Sequence, residues 1–223
     1  MIPLKDDIPS SSFPIVNTML IALNVLVFIF EVSLGSNISV FISSYGMTPA
    51  GIITDGITGW VTIFTSMFIH GGWEHIIGNM LYLFIFGDNV EDAIGHFRYF
   101  TFYIICGIVA AWGHILFNSQ SLLPTVGASG AVAGVLGAYL LLYPRAGVLT
   151  LVPLGFFIRI IKIPALVVLG FWIILQLLFG LINIPLSGEQ SGGVAWFAHI
   201  GGFVAGIILI KLLGRRKHFN HSF

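Results

Sequence analysis

The sequence predicts an all-α polytopic membrane protein, a bundle of six transmembrane helices within a single domain over residues 1–223. Hydrophobic residues make up 57% of the chain, charged residues only 8%, and the mean hydropathy is +1.01. Soluble domains carry about 25% charged residues, so this chain has too few charges to cover a surface in water. The apolar residues also fall into six long runs, close to the roughly 20 residues that a helix needs to cross the hydrocarbon core.

These runs define the helices in order along the chain. The first run follows an N-terminal stretch that mixes Lys5 with Asp6 and Asp7, and no small-residue cleavage site lies near its end. We therefore interpret it as a retained membrane anchor rather than a cleaved signal peptide. The second run has a polar inner end, and the fourth is the shortest of the set. The predicted spans are residues 15–34, 74–94, 98–117, 129–143, 163–184 and 194–213.

Two connecting segments are long or unusually apolar. Residues 35–72 are rich in Gly, Ser and Thr but also contain many Ile, Phe and Met residues, which predicts a segment that lies in the membrane interface or dips partway into the bilayer. Residues 148–162 are apolar but contain Pro153, Gly155 and Arg159. We interpret this second segment as a connector close to the membrane, with a further helix as the alternative.

The basic residues predict the orientation of the bundle. Cytoplasmic loops of membrane proteins collect Lys and Arg. If both termini lie inside, every Lys and Arg of the chain falls on an inner segment, and the three outer loops contain none. This agreement predicts an N-in, C-in topology for six helices. The inner cations are Lys5, Arg98, Arg145, Arg159, Lys162, Lys211, Arg215, Arg216 and Lys217.

Polar side chains cluster at the outer ends of three predicted helices. His75 and Asn79 lie near the start of the second helix, Ser129 at the start of the fourth, and His199 near the start of the sixth. All three helices begin at the outer side in the predicted topology, so these residues are expected at similar depth. Ionisable groups within a bilayer are costly and usually face the bundle interior or a water-filled cavity. We therefore predict that they form one functional site.

The residue types at this site are typical of nucleophilic catalysis. A serine hydroxyl becomes a strong nucleophile when a base takes its proton, so Ser129 is the candidate nucleophile and His199 the candidate base. His75 and Asn79 are four residues apart and share a helix face, from which they can donate hydrogen bonds to an oxyanion. Free N–H groups at the start of the Ser129 helix favour the same negative charge. Glycines such as Gly127 allow a substrate backbone to come close.

Three motifs carry a resemblance to a known family. They are GASG at residues 127–130, HGGWEHIIGN at 70–79 and AHIGGFVAG at 198–206, and VED with a following glycine at 90–95 adds a fourth. In this order on the predicted helices they resemble the rhomboid intramembrane serine proteases, and the resemblance covers most of the chain. It implies a rhomboid-type membrane domain with a dyad of Ser129 and His199, and it favours a supporting role for His70.

The resemblance also implies a function and a location. The expected activity is cleavage of transmembrane segments of membrane-protein substrates near their outer end, without a metal ion or other cofactor. The expected location is a multi-pass position in the lipid bilayer, in the cell (inner) membrane, with the active site towards the outer side. The net charge of zero gives no reason to expect a nucleic-acid partner. The oligomeric state is left open by the sequence.

The chain departs from the family pattern at two positions. Family members often have arginine after the tryptophan of the first long loop, whereas Val61 follows Trp60 here. An aromatic residue often follows the serine by one helical turn and stacks on the catalytic histidine, whereas this position is Ala133. Neither change removes a group that performs the chemistry, but the second leaves open what orients His199.

Other interpretations of the same residues remain. The glycines of GASG, taken alone, favour close helix packing, and we predict that Gly202 and Gly206 do pack helices. The main alternative function is a catalytically silent rhomboid-like membrane protein that binds or escorts membrane clients, but the presence of both Ser129 and His199 argues against it. A haem or metal protein would need histidine ligands in a recognisable pattern, and the His-Glu-x-x-His motif of zinc proteases is absent. A proton-coupled transporter would need a buried acidic residue near the midplane, and the predicted helices lack one there.

Overall fold

The computed structural model describes residues 1–155, 157–183 and 194–214. Residue 184, where the fifth predicted helix ends, and the inner cations Arg215, Arg216 and Lys217 lie outside the described residues. Six long helices coincide with the six predicted runs to within two residues at each described end. The predicted helical membrane fold is confirmed. The six helices are α1 (Ile15–Ser33), α5 (Trp73–Ile94), α6 (His96–Asn118), α7 (Ser129–Leu142), α8 (Ala165–Ile182) and α9 (Trp196–Leu213).

The six helices differ in their capacity to cross a bilayer. Among the described residues, four are long and apolar enough to do so, namely α1, α6, α8 and α9. The 22-residue helix α5 is long enough, but it carries acidic residues at both ends. Helix α7 has only 14 residues, so its length is about 21 Å at about 1.5 Å per residue. Because the hydrocarbon core is about 30 Å thick, α7 cannot reach both surfaces, and six crossings remain a prediction.

Helix α7 forms the centre of the bundle, where small residues let it approach its neighbours closely. A Cβ atom on Gly202 of α9 would overlap the carbonyl oxygen of Gly130, and one on Gly206 would overlap that of Gly134. On another side of α7, a Cβ atom on Gly134 would collide with the side chain of Cys106 in α6. The two backbones of α7 and α9 are therefore in direct contact, which fixes the distance between the starts of these helices.

A matched pair of substitutions tests this contact. We expect Gly206→Ala to lower the free energy of unfolding by about 1–3 kcal/mol, because the added methyl group must push α9 away from α7. Gly170→Ala in α8 is the control, since a Cβ atom there meets nothing within 4 Å. Alanine also favours a helix over glycine, so this control should be neutral or stabilising. Thermal unfolding in detergent measures both, and equal midpoints for the two variants would contradict the contact.

A three-stranded antiparallel sheet lies at the end of α7 opposite to Ser129. Residues 147–164 form a hairpin that connects α7 and α8, so the alternative of a further helix is wrong, and the closeness of this connector to the membrane stays a prediction. Its strands are rich in β-branched residues, and Pro153 would interrupt a helix, which explains the outcome. Gly155 adopts φ +62° at the turn between the strands. The strands are β1 (Ile2–Lys5), β2 (Gly147–Leu154) and β3 (Phe157–Pro164), in the order β1-β2-β3.

Two acidic side chains of the N-terminal segment bind it to this end of the bundle. Tyr139 in α7 donates a hydrogen bond of 2.5 Å to Asp6. Asp7 forms an ion pair of 2.6 Å with Lys162 in β3 and accepts the backbone N–H of Gly147. The sheet and the segment that follows β1 therefore pack together as one layer against the C-terminal end of α7.

The Asp6 carboxyl group makes the docking of this layer sensitive to pH. Burial, helped by the nearby acidic groups, raises the pKa of Asp6 from its ordinary value of 3.8 to about 6, against the opposing effect of the Tyr139 hydrogen bond. The folded protein thus binds this proton more tightly than the unfolded chain does. The stability that protonated Asp6 contributes to the folded protein is fully present below about pH 4 and is lost as the pH rises through about 6.

We expect the wild-type protein to lose stability relative to the Asp6→Asn variant as the pH rises from about 4 to 7. The variant keeps a polar side chain of the same size but cannot ionise. Unfolding midpoints of both proteins across this range are the measurement, because the effects of titrating groups remote from Asp6 cancel in the difference. A difference that stayed constant with pH would show that the ionisation of Asp6 is not linked to folding.

The long segment between α1 and α5 folds over the start of α7. It contains the short helices α2 (Ile38–Tyr45), α3 (Gly51–Thr54) and α4 (Ile57–Thr65). Met47 and Thr125 exchange backbone hydrogen bonds of 3.0 and 2.8 Å, and Gly127 donates its N–H to Ser66. These contacts hold the residues just before Ser129 in place. Whether the segment lies in the interface or dips into the bilayer stays a prediction.

Candidate active site

Ser129 and His199 lie at the starts of the two central helices that pack against each other. Ser129 is the first residue of α7, and His199 lies one turn into α9. The Ser129 Oγ atom is 2.8 Å from the His199 Nε2 atom. This distance is within the range of about 2.6–3.2 Å that proton transfer to a base requires. His199 is only 9% exposed and Ser129 is half-buried, so the pair lies within the bundle.

Helix α8 supplies the contacts on the other side of the His199 ring. The Gln176 Oε1 atom is 2.7 Å from His199 Nδ1. The Trp172 ring lies beside the imidazole, with the ring centroids 5.7 Å apart and the planes inclined by 35°. Trp172 is therefore an aromatic neighbour of the imidazole that comes from α8, whereas Ala133 in α7 has no ring to offer. Sequence reasoning missed both residues, although Gln176 is the one strongly polar side chain in an otherwise apolar helix, which is a signal in itself.

His75 comes close to Ser129 through the space that Gly127 leaves open. Gly127 has φ +128°, and a Cβ atom there would lie 2.6 Å from His75 Nε2 and 3.6 Å from Ser129 Oγ. The backbone N–H of Gly71 donates to His75 Nδ1 at 3.3 Å. Because this nitrogen accepts, the proton of a neutral His75 ring lies on Nε2. His75 therefore presents an N–H donor towards the space beside the serine.

Asn79 lies one turn further along the same face of α5. It is 6% exposed, and it lines the same cavity as His75 and Ser129. Its amide nitrogen has no hydrogen-bond partner among the described residues. A buried polar atom without a partner is rare in native proteins, so this nitrogen is an unused hydrogen-bond donor in a residue that lines the cavity.

His70 lies behind the site rather than in it. The residue is fully buried, and its ring packs edge-on against that of His75 with 5.2 Å between the centroids. Its backbone N–H donates to the carboxylate of Glu31 in α1. The contact with His75 places His70 beneath a wall of the cavity, where it limits the positions that the His75 ring can take.

The site opens into a cavity of about 730 Å³ between the helix ends. Its lining combines polar and apolar side chains, as ligand pockets in proteins commonly do. The polar lining includes Glu74, His75, Asn79, His114, Ser129 and His199. The apolar lining includes Val126, Val132, Leu136, Trp172, Trp196 and Phe197.

His114 is the remaining histidine of the cavity wall. It is within hydrogen-bond distance of Thr125, at 3.1 Å, and of Asn118. Each ring nitrogen of His114 therefore has a hydrogen-bond partner within the protein and does not need a ligand. Within residues 1–155, 157–183 and 194–214, no three His, Cys, Asp or Glu side chains form a group that could bind a metal ion.

Fold and site together define a polytopic helical membrane protein with a serine–histidine pair of the kind that serine hydrolases use. Comparison with protein families agrees, because the Rhomboid domain model matches residues 58–216. The chain belongs to the rhomboid family. The resemblance inferred from the sequence motifs is therefore confirmed.

Individual relatives support the same assignment. The chain is 31% identical to Rhomboid protease GluP of Bacillus subtilis over 205 residues, which cover 92% of this chain and 36% of that protein. It is 28% identical to Rhomboid protease AarA of Providencia stuartii over 204 residues, 85% of this chain and 69% of that protein. It is also 28% identical to Rhomboid-like protein 11, chloroplastic, of Arabidopsis thaliana over 192 residues, 80% of this chain and 63% of that protein. The chain thus spans about a third of the Bacillus relative and under two thirds of the Arabidopsis relative.

Proposed function

We propose that this protein is an intramembrane serine endopeptidase that cleaves transmembrane segments of other membrane proteins through a Ser129–His199 dyad. The observation that carries the proposal is the 2.8 Å contact between Ser129 Oγ and His199 Nε2 inside a membrane bundle. Two of the relatives are named as rhomboid proteases, which supports the same reaction class. The rival proposal is a silent relative that only binds clients, and such a protein has no need for this contact.

The proposed reaction has two steps that share one base. Ser129 Oγ attacks the carbonyl carbon of the scissile peptide bond while its proton passes to His199 Nε2. His199 then gives this proton to the leaving amine, the C–N bond breaks, and an acyl-enzyme remains on Ser129. Water attacks the acyl-enzyme with His199 again taking the proton, and this releases the carboxylic acid and regenerates the serine.

The proposed oxyanion donors are arranged around the serine. The attacked carbonyl oxygen gains negative charge, and preorganised donors in a poorly hydrated site stabilise this charge more strongly than water does. His75 Nε2–H lies beside Ser129, and Asn79, whose amide nitrogen has no partner among the described residues, lines the same cavity. The free backbone N–H groups at the start of α7 add to the same field.

The proposed substrate and orientation follow from the depth of the site. The inner-side sheet and the Ser129 end of α7 lie at opposite ends of the bundle, and the inner segments contain all the basic residues. We infer an N-in, C-in topology in the cell membrane, with the cavity open towards the outer side. A transmembrane segment entering this cavity would be cleaved near its outer end.

The direct test is a cleavage assay in liposomes. Purified protein is reconstituted with a panel of single-span substrates, and the fragments are identified by mass spectrometry, beside the Ser129→Ala variant as matched control. We expect cuts near the outer end of some spans and none with the variant. Stable binding of the same spans without any cleavage, by a folded wild-type protein, would instead favour the silent client-binding alternative.

A further inference from the structure

We propose that Gln176 is a positioning residue that fixes both the orientation and the tautomer of His199. The inference rests on the proposed function, because it explains how a dyad without an acidic third member keeps its base aligned. Gln176 contacts His199 and not the reacting atoms, so it acts through the imidazole. Its neighbour one turn earlier, Trp172, holds the face of the same ring.

The two ends of the Gln176 amide are distinguished by a second hydrogen bond. The Gln176 Nε2 atom is 3.2 Å from the backbone carbonyl oxygen of Trp172. A carbonyl oxygen only accepts, so the NH₂ group must face Trp172 and the Oε1 atom must face His199. His199 Nδ1 therefore donates its proton to Gln176.

This arrangement determines the state of the other ring nitrogen. A neutral imidazole carries one proton, and with that proton on Nδ1 the Nε2 atom has a free lone pair. This lone pair faces Ser129 Oγ at 2.8 Å, as a base that accepts the serine proton must. The opposite tautomer would place an N–H group against the serine and could not accept its proton.

A neutral amide suits this position better than a carboxylate. Gln176 is 6% exposed within an apolar helix, where an unpaired negative charge would carry a large desolvation penalty. The titratable groups that share the cavity with His199 are His114 from α6 and Glu74, His75 and Tyr82 from α5. Among the described residues, only Ser129 and Gln176 form hydrogen bonds with the His199 ring.

The test compares three variants by the rate at which a fluorophosphonate reagent modifies Ser129. Gln176→Leu removes both hydrogen bonds while keeping the size of the side chain, Gln176→Glu keeps the acceptor, and Leu178→Ala is the control. Leu178 is 48% exposed on the same helix. For Gln176→Leu we expect the maximum labelling rate, per folded molecule, to fall about a hundredfold with unchanged reagent affinity. This is the lower end of the 10²–10⁴-fold effect of a positioned base.

Two further readouts separate positioning from a merely structural role. Gln176→Glu should retain labelling within about tenfold of the wild type, because its side chain keeps an oxygen acceptor for His199 Nδ1. The ¹⁵N spectrum of histidine-labelled protein, with His199 assigned from the His199→Ala variant, should show the proton on Nδ1 in the wild type and a mixture in Gln176→Leu.

The outcomes distinguish this inference from the proposed function. If Gln176→Leu labels as fast as the wild type and keeps the same His199 spectrum, the positioning role is wrong and the dyad stands. If the folded wild type neither labels at Ser129 nor cleaves a span, the proposed function is wrong, and only the spectrum then decides whether Gln176 fixes the tautomer. A loss in Gln176→Leu that matches its loss of folded protein, or that Leu178→Ala shares, would also overturn the inference.

Discussion

Replacing His199 with alanine is expected to lower turnover by at least about 10⁴-fold while the protein still folds. The imidazole takes the proton from Ser129 and returns it to the leaving amine, so its removal affects both steps of the reaction. In soluble serine proteases the loss of the serine or the histidine costs about as much as the loss of the whole catalytic set. The same logic applies to a dyad whose atoms are already 2.8 Å apart.

The Ser129→Ala variant and the double variant should therefore fall to the same residual rate as His199→Ala. Groups that act as one unit give such strongly non-additive effects. Leu212→Ala on the lipid-facing side of α9 is the matched control, because Leu212 is 75% exposed and remote from the cavity. Initial rates of substrate cleavage, normalised to the folded fraction, are the measurement. Substantial turnover by His199→Ala would remove His199 from the dyad.

Replacing Asn79 with alanine is expected to lower the turnover number by about 10²–10³-fold with little change in KM. The loss of one oxyanion donor costs about 2.7–4 kcal/mol in a well-studied soluble protease. The negative charge exists only in the transition state, so substrate binding should be nearly unaffected. The Asn79 amide nitrogen has no partner among the described residues, so the substitution removes no hydrogen bond that this nitrogen makes within that part of the fold.

His75→Ala should act in the same direction and combine non-additively with Asn79→Ala. Both donors serve one oxygen atom, so the double variant should lose less than the product of the two single effects. Thermal stability measured beside turnover separates catalysis from folding, because a structural role predicts activity that tracks the amount of folded protein. Full activity of Asn79→Ala at saturating substrate would exclude this residue from the oxyanion site.

The sequence contained most of the information on the helices and on the four residues of the candidate site. Apolar runs fix helix positions because a bilayer imposes a length and a composition on every span. The convergence of Ser129, His199, His75 and Asn79 followed from the direction of three helices, since alternating spans begin on alternating sides. The structure places these residues around one cavity.

Two features depend on information that a linear pattern lacks. The contact of Gln176 with His199 requires knowing that α8 packs against α9 and how each helix is rotated about its axis. The hairpin at residues 147–164 was missed because neither strand shows the regular alternation of apolar and polar residues that marks a half-buried strand. Partners distant in sequence, such as Ile2 opposite Leu151, complete the sheet.

The proposal that Ser129 is a nucleophile activated by His199 is tested most directly by locating the site of phosphonylation. The purified protein is treated with a fluorophosphonate, digested and mapped by mass spectrometry, in parallel with the His199→Ala variant. We expect a single adduct on Ser129 in the wild type, formed at least about 10³-fold more slowly in the variant. An adduct on another residue, or equal labelling of Ser129 in both proteins, would contradict the dyad.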